Sequence, residues 1–283
     1  MAAKGSLALT IGPVRPGESV LPLGDTDLAH ARATDPDGAF VARDTEGRTV
    51  GTAWAAVRED TLLLLALDVD AAHRGKGAGR ALLAAARAYG AARGARSLEV
   101  LAPDEPSALA FFLGAGLSIR ALVLGMEAVA TGDPGSPRLR APGGPLVPVG
   151  PGTPLSGWIA ALDRETRGFA RPRDWGRSAE GGRLVSLKRG GRPVALGAWN
   201  EGRHTIALGP LAAKTPEAAA DFLSLLAARF EGKRLSLALP SEARLLLLAA
   251  DALGFRAVST RALLTDSGRG DFRRYAGGGG RFF

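Results

Sequence analysis

Cysteine is absent from the 283 residues. That excludes a disulfide framework, a thiolate-ligated zinc site and a cysteine nucleophile. Histidine is scarce: His30, His73 and His204 stand far apart in sequence, which argues against a multi-histidine metal site or a histidine-centred triad. Only two tyrosines occur, Tyr89 and Tyr275. No apolar run reaches the roughly 18 residues that a membrane-spanning helix needs. The stretch Met1–Gly12 carries one cation and no long apolar core, so no secretory signal is read there. These absences point to a cytoplasmic enzyme or binding protein.

What is present suits a globular chain: 46% of residues are hydrophobic and 23% charged, too apolar for disorder. The length suggests two domains. Charge is lopsided. Residues 1–130 hold 13 Lys+Arg and 15 Asp+Glu, a net of −2, and residues 131–283 hold 23 and 13, a net of +10. Such asymmetry raises the question of nucleic acid or an acidic partner. However, Arg outnumbers Lys 31 to 5 and no basic motif is interleaved with aromatics, so solvated faces are the expectation and nucleic-acid binding is not.

Thr131–Pro154 is dominated by Pro and Gly and has no apolar period, which marks a linker between halves of about 130 residues. In the first half the pattern predicts a strand at Leu7–Ile11, a short helix at Thr26–Ala33, and a hairpin of Ala39–Asp44 with Arg48–Val57. A strand covered on both faces follows at Thr61–Val69. Then come a helix from about Gly77 to Ala92 with Leu82, Leu83, Ala86 and Tyr89 on its apolar stripe, a strand at Leu98–Leu101, a helix at Pro106–Leu113 stopped by glycine, and strand pieces over Leu117–Val129. The second half repeats this order. Gly47 to Trp54 is echoed by Gly191 to Trp199 with one extra residue, which places the two tryptophans at matching core positions. Leu98–Pro103 is echoed by Leu235–Pro240, and the helix before Gly116-Leu117 by Arg244–Leu253 before Gly254-Phe255. Between them the pattern predicts a strand at Thr205–Leu208 and a helix at Thr215–Arg229 capped by Thr215.

One stretch carries chemistry: Leu67-Asp68-Val69-Asp70-Ala71-Ala72-His73-Arg74-Gly75-Lys76-Gly77-Ala78-Gly79-Arg80. A strand runs through a glycine-rich turn into a helix. Gly75, Gly77 and Gly79 let main-chain N–H groups converge without obstruction from a Cβ. The helix N-terminus adds partial positive charge, and Arg74, Lys76 and Arg80 add full charges. The combination suits a pyrophosphate. It is not a Walker loop, which needs G-x-x-x-x-G-K-[ST]. Nor is it a dinucleotide fingerprint, because the spacing is G-x-G-x-G and the strand is the fourth. Period-two alternation along the strand sets Leu65, Leu67 and Val69 on one face, and Leu64, Ala66 and Asp68 on the other.

The loop Arg74–Gly79, the strand ending at Val69, the following helix, the strand Leu98–Leu101 and the helix ending at Gly116-Leu117 together resemble the GNAT superfamily of acyl-CoA-dependent N-acyltransferases. The two halves resemble tandem GNAT proteins whose second copy has lost its cofactor loop. The resemblance implies an α+β fold of two tandem GNAT-like domains, each a mixed, mainly antiparallel twisted sheet flanked by helices: residues 1–130, a linker at 131–154, and a degenerate domain at 155–283. It implies acetyl-CoA as co-substrate and no metal, with Arg74, Gly75, Lys76, Gly77, Ala78, Gly79 and Arg80 around the diphosphate. The backbone of Leu67 and Val69 would pair with the pantetheine arm where the strand splays at a bulge. A small-molecule primary amine would attack the thioester directly.

General bases in this family often sit on the fourth strand. The usual glutamate position is Ala66 here, which leaves Asp68, if buried beside the acyl end, and less favourably Asp70. The tyrosine that commonly meets the leaving thiolate is replaced by Phe112, and the upstream asparagine by Glu105. A tail folding back to bring Tyr275, or Ser107, are remaining proton sources. These departures keep a second reading open, a non-catalytic acyl-CoA-binding sensor or partner-binding module. The second half's equivalent turn, Gly209–Pro216, lacks the arginine and the glycine series, and Pro210 and Pro216 remove two N–H donors, so no CoA binding is expected there. The stretch Arg164–Arg192, with nine Lys+Arg against three Asp+Glu, reads as a solvated face ahead of an attractor for an anionic substrate or partner. Homo-oligomerisation is left open.

Overall fold

The computed structural model describes residues 8–15, 18, 25–130, 144–155 and 157–278. Most of the Pro/Gly-rich segment and the strand start at Leu7 lie outside the described residues. The chain divides into two compact units. The first comprises residues 1–101 with Thr265–Ser267, and the second residues 102–264 with 268–281.

In the first unit, strands β1 (Thr10–Pro13), β2 (Ala39–Arg43), β3 (Thr49–Arg58), β4 (Thr61–Val69) and β5 (Ser97–Pro103) are neighbours in that order. Pairs β1/β2, β2/β3 and β3/β4 are antiparallel and β4/β5 is parallel. A parallel pair needs a crossover, which helix α2 (Ala78–Ala92) supplies. Its buried residues Ala78, Leu82, Leu83, Ala86, Tyr89 and Gly90 form one helical stripe. Gly90 is required by close packing: a Cβ there would stand 3.0 Å from the Leu62 side chain. The other helix, α1, spans Asp25–Thr34. Near its end Asp35 anchors the sheet. Its carboxylate accepts from Arg58 Nη1 at 2.7 Å, from the Val57 N–H at 2.9 Å and from the Tyr89 hydroxyl at 3.1 Å. Burial alone would raise the Asp35 pKa, and the donors from Arg58 and Val57 hold it below the usual carboxylate range.

The second unit repeats the plan. Helix α3 (Pro106–Gly114) leads to β6 (Ser118–Val129), and β7 is Leu146–Pro148. Next come helices α4 (Trp158–Arg167) and α5 (Pro172–Glu180), then β8 (Leu184–Arg189), β9 (Arg192–Glu201) and β10 (Ile206–Ala213). Helix α6 (Pro216–Ala228), β11 (Arg234–Pro240), helix α7 (Arg244–Ala252), β12 (Arg256–Thr265) and β13 (Tyr275–Ala276) complete it. The order is β12-β6-β11-β10-β9-β8-β7, with β13 beside β10. Only β10 and β11 run parallel among the pairs resolved here, with α6 as crossover. Thr215 caps α6 through the Ala218 N–H at 3.2 Å, as expected. Phe222, Leu223 and Leu226 of α6 pack with Leu235, Leu237 and Leu246 in the core.

The two units are not the two sequence copies. Strand β6 follows α3 in the first copy, yet it pairs with β11 over seven residues, from Val129 opposite Arg234 to Val123 opposite Pro240. The boundary between the compact units therefore falls at Leu101.

Several sequence expectations are corrected. Arg167 and Arg171 in the basic stretch are 2% and 1% exposed and are not solvated. Arg171 clamps the equally buried Asp163 with Nη2, Nε and its backbone N–H. His30 is buried at 8% exposure, and His204 is exposed. Gly209–Ala213 belong to strand β10 and not to a turn, so the link from β10 to α6 is only Lys214-Thr215. Trp54 and Trp199 are not counterparts. Trp199 packs on Phe230 at the end of α6, and Trp54 lies beneath Arg32 of α1. The extra residue in the second echo shifts the period-two pattern by one and turns the ring to the other face.

Candidate active site in the first unit

Strand β4 keeps its parallel register with β5 only from Thr61 opposite Ser97 to Leu64 opposite Val100. Beyond Leu64 it continues to Val69 paired with β3 alone. At the point of divergence the β3/β4 register slips, with Ala55 opposite Leu64 and Trp54 opposite Ala66, so Leu65 is an extra residue. A bulge of this kind bends the strand and resets its alternation. The predicted faces change accordingly. Directly opposed residues share a face, so Leu62, Leu64, Leu67 and Val69 lie on the α2 side with Val57, Ala55, Ala53 and Gly51. The side chains of Leu62 against Gly90 and of Val69 beside Leu82 confirm that side. Ala66 and Asp68 share the opposite face with Trp54 and Thr52.

Backbone direction follows from one bond. The Asp70 N–H donates to the Val50 carbonyl at 2.9 Å, which marks a hydrogen-bonded position of the ladder. Alternation then makes Asp68/Thr52 bonded and turns the N–H and C=O groups of Leu67 and Val69 away from β3, toward the side β5 has left. Arg74 Nε donates to the Val69 carbonyl at 2.8 Å, consistent with that direction.

After Val69 the chain makes a single 3-10 turn, Ala71–His73, with the His73 N–H donating to the Asp70 carbonyl at 2.8 Å. Gly75 at φ 75° and Gly77 at φ 98° then adopt the left-handed conformation that favours glycine. Gly77 is the N-cap of α2 and brings no side chain to its first N–H groups. A Cβ at Gly77 would meet nothing within 4 Å among the described residues, so the space beside it is open. Ala78 is buried at the helix start, Gly79 is half-buried, and Arg74, Lys76 and Arg80 are exposed. Among the described residues Lys76 and Arg80 have no ion-pair partner. The turn thus combines open N–H donors, a helix N-terminus and two unpaired cations, a donor set that fits a diphosphate.

Asp68 is not buried as expected. Its side chain is 46% exposed and pairs with Arg74 Nη2 at 3.3 Å. Asp70 is also exposed, 4.0 Å from the buried Nδ1 of His73. On the Asp68 face, two buried groups in β3 lack any hydrogen-bond partner among the described residues: Thr52 Oγ1 and Trp54 Nε1. Sequence reading missed them as site residues, because a tryptophan and a threonine in a buried strand look like ordinary core.

Neither tyrosine is available as a proton donor. Burial pushes the Tyr89 hydroxyl up to about 12, with the Asp35 charge and hydrogen bond adding to it. Tyr275 is fully enclosed in the second unit, where burial raises its pKa and its hydroxyl accepts from Arg171 Nη1 at 3.1 Å. Phe112 is buried in α3, and Ser107 is exposed in that helix's first turn.

A twice-repeated mixed sheet, each copy with one helix crossing over a parallel pair, defines the class of scaffold as that of a two-copy acyltransferase. Family models agree. An acetyltransferase (GNAT) family model matches residues 14–116, and an acetyltransferase (GNAT) domain model matches residues 159–271. The chain belongs to the GNAT acetyltransferases and is a tandem GNAT protein.

Solved structures share the fold. An acetyltransferase from Pyrococcus horikoshii superposes with a TM-score of 0.67 at 17% identity, over 88% of this chain and 81% of its own. A tandem GNAT protein from the clavulanic acid biosynthesis pathway, without AcCoA, gives 0.58 at 18% identity, over 91% and 98%. A GCN5-related N-acetyltransferase from Sphaerobacter thermophilus gives 0.54 at 16% identity, over 82% and 81%. None of the curated protein sequences compared with the chain matches it. Among the described residues, no helix is long and apolar enough to cross a membrane.

Proposed function

We propose that the first copy is a cytoplasmic acetyl-CoA-dependent N-acetyltransferase acting on a primary amine of a small molecule. The observation that carries this is the turn from Asp70 to Gly77, with its left-handed glycines and unpaired Lys76 and Arg80, at the end of a strand whose Leu67 and Val69 backbone faces a vacated sheet position. Arg74, Gly75, Lys76, Gly77, Ala78, Gly79 and Arg80 would hold the CoA diphosphate, and Leu67 and Val69 its pantetheine amides. Bound acetyl-CoA supplies an acyl group activated as a thioester. The amine nitrogen forms a bond to the acetyl carbon, the carbon–sulfur bond breaks, and the thiolate departs with the electron pair.

The amine must first shed a proton. Asp68 is the carboxylate on the acceptor face, and its exposure supports proton transfer through water. Arg74 holds the Asp68 carboxylate in place. Thr52 Oγ1 and Trp54 Nε1 offer unsatisfied hydrogen-bonding capacity on that same face. With no tyrosine hydroxyl free, the second N–H proton, lost as the amide forms, passes through water to the thiolate.

The test is CoA release from acetyl-CoA across a panel of primary amines, read with a thiol reagent. The chain has no cysteine, so the protein contributes no background. Amine-dependent thiol release is expected. Tight CoA binding with no release from any amine would favour the second reading, a non-catalytic acyl-CoA binder, which the Asp68–Arg74 pairing and the occupied tyrosine hydroxyls support.

A further inference from the structure

The second copy contains the same splay. Parallel pairing of β10 with β11 stops after Ile206 opposite Leu235 and Ala207 opposite Ser236. The β9/β10 register slips between Leu208 and Leu211, as β3/β4 does at Leu65. Here the opening is filled. Strand β13 pairs antiparallel with β10, Leu211 opposite Ala276 and Ala212 opposite Tyr275. On its far side Gly277 bridges β11: its N–H donates to the Ala238 carbonyl at 2.8 Å, and the Ala238 N–H donates back at 3.1 Å. One chain segment thus satisfies both edges that the divergence leaves open.

The segment is built in by more than its backbone. Tyr275 and Phe272 are 0% and 1% exposed, and the Tyr275 hydroxyl is held by Arg171, which is itself locked on Asp163. Arg274 Nη1 donates to the carbonyls of Ala213 and Lys214, at the link from β10 to α6 where the first copy has its glycine turn. Two glycines permit the close approach: a Cβ on Gly278 would stand 2.8 Å from the Gly209 carbonyl oxygen, and one on Gly209 2.6 Å from that of Gly277.

We propose that the splayed sheet of the second copy is a peptide-binding cleft whose ligand is the chain's own segment Tyr275–Gly278. This is strand addition in cis. An extended peptide with an aromatic residue followed by small residues takes the place that the pantetheine arm would take in the first copy. The chain therefore carries one cofactor cleft. Only the comparison with pantetheine rests on the function proposed above; the occupied cleft does not.

Two measurements on the intact 283-residue chain separate these claims. Hydrogen exchange of the peptides covering 234–240 and 272–278 is expected to be on the order of 100-fold slower than in the free peptides, and exchange at free-peptide rates would overturn the cleft assignment. Gly277→Pro removes the N–H that bonds the Ala238 carbonyl and so loosens the inserted segment; loss of protection over 272–276 and at the Ala238 N–H is expected, while the rest of 234–240 keeps its β6 pairing. Retained protection over 272–276 in that variant would equally overturn it. Calorimetric titration with CoA is expected to give one site per chain. Two sites would overturn the inference, whereas no binding with intact protection would overturn the cofactor reading and leave the peptide cleft standing.

Discussion

Replacing Gly77 with alanine tests the cofactor loop at its hinge. The residue sits at φ 98° and ψ −12°, and a non-glycine residue in the left-handed region costs about 1–2 kcal/mol. No atom lies within 4 Å of the new methyl group, so the variant should fold. If the loop relaxes to shed the strain, bound CoA must restore it. The strain then appears as an affinity loss of about 5- to 30-fold, at about 1.4 kcal/mol per factor of ten. If the loop holds, the methyl group intrudes on the open face where the diphosphate would approach. Gly94→Ala is the matched control. Gly94 has φ 82° and equally open surroundings, but it follows the far end of a 15-residue helix, about 22 Å away. Isothermal titration with CoA and urea unfolding should show weakened binding for Gly77→Ala alone, and a stability loss of about 1–2 kcal/mol for Gly94→Ala. An unchanged dissociation constant in Gly77→Ala, or an equal loss of affinity in Gly94→Ala, refutes the loop assignment.

Three further outcomes are expected. Asp35→Asn leaves Arg58, 3% exposed, facing a neutral amide, and breaking such a buried pair costs about 3–5 kcal/mol; a urea midpoint equal to wild type would contradict the anchoring role. Glu18 is held at a pKa of about 2, down from 4.5, chiefly by its hydrogen bonds from Arg43. Because the folded value is depressed, its stabilisation is complete above pH 4.5 and fades as the pH falls through about 2. Glu18→Gln should flatten that part of the curve of melting temperature against pH, and an identical acid limb would exclude the pair as its source. Asp68→Asn should lower turnover and alter the pH dependence of kcat/KM, whereas a merely structural Asp68 would leave the shape of the profile intact.

The stretch from β4 through the turn to α2 was legible because local rules write it: an apolar run, spaced glycines, then a helical stripe of Leu82, Leu83, Ala86 and Tyr89. What escaped depends on other parts of the chain. The extra residue at Leu65 is visible only against β3, and it moves Leu64 to the face opposite Asp68. The exposure of Asp68 escapes local rules because Arg74, six residues on, reaches back to it in solvent. Helix α4 was hidden because its inner face carries Asp163, Thr166 and Arg167, so hydrophobic periodicity fails although the residues are buried. The Gly209–Pro216 segment looked like a turn because Pro and Gly signal one, but a bulged strand beside a close-packed backbone needs the same residues. No local signal announces that β6 pairs with residues more than a hundred positions away.

The loan of β6 has a consequence for how such a chain is dissected. A protease nick or a gene fission anywhere between residues 131 and 143 would strand an interior strip of the second sheet on the wrong fragment. Neither piece would then be a fair surrogate for its half, and a fused duplication that shares such a strip could not readily come apart into two free-standing domains.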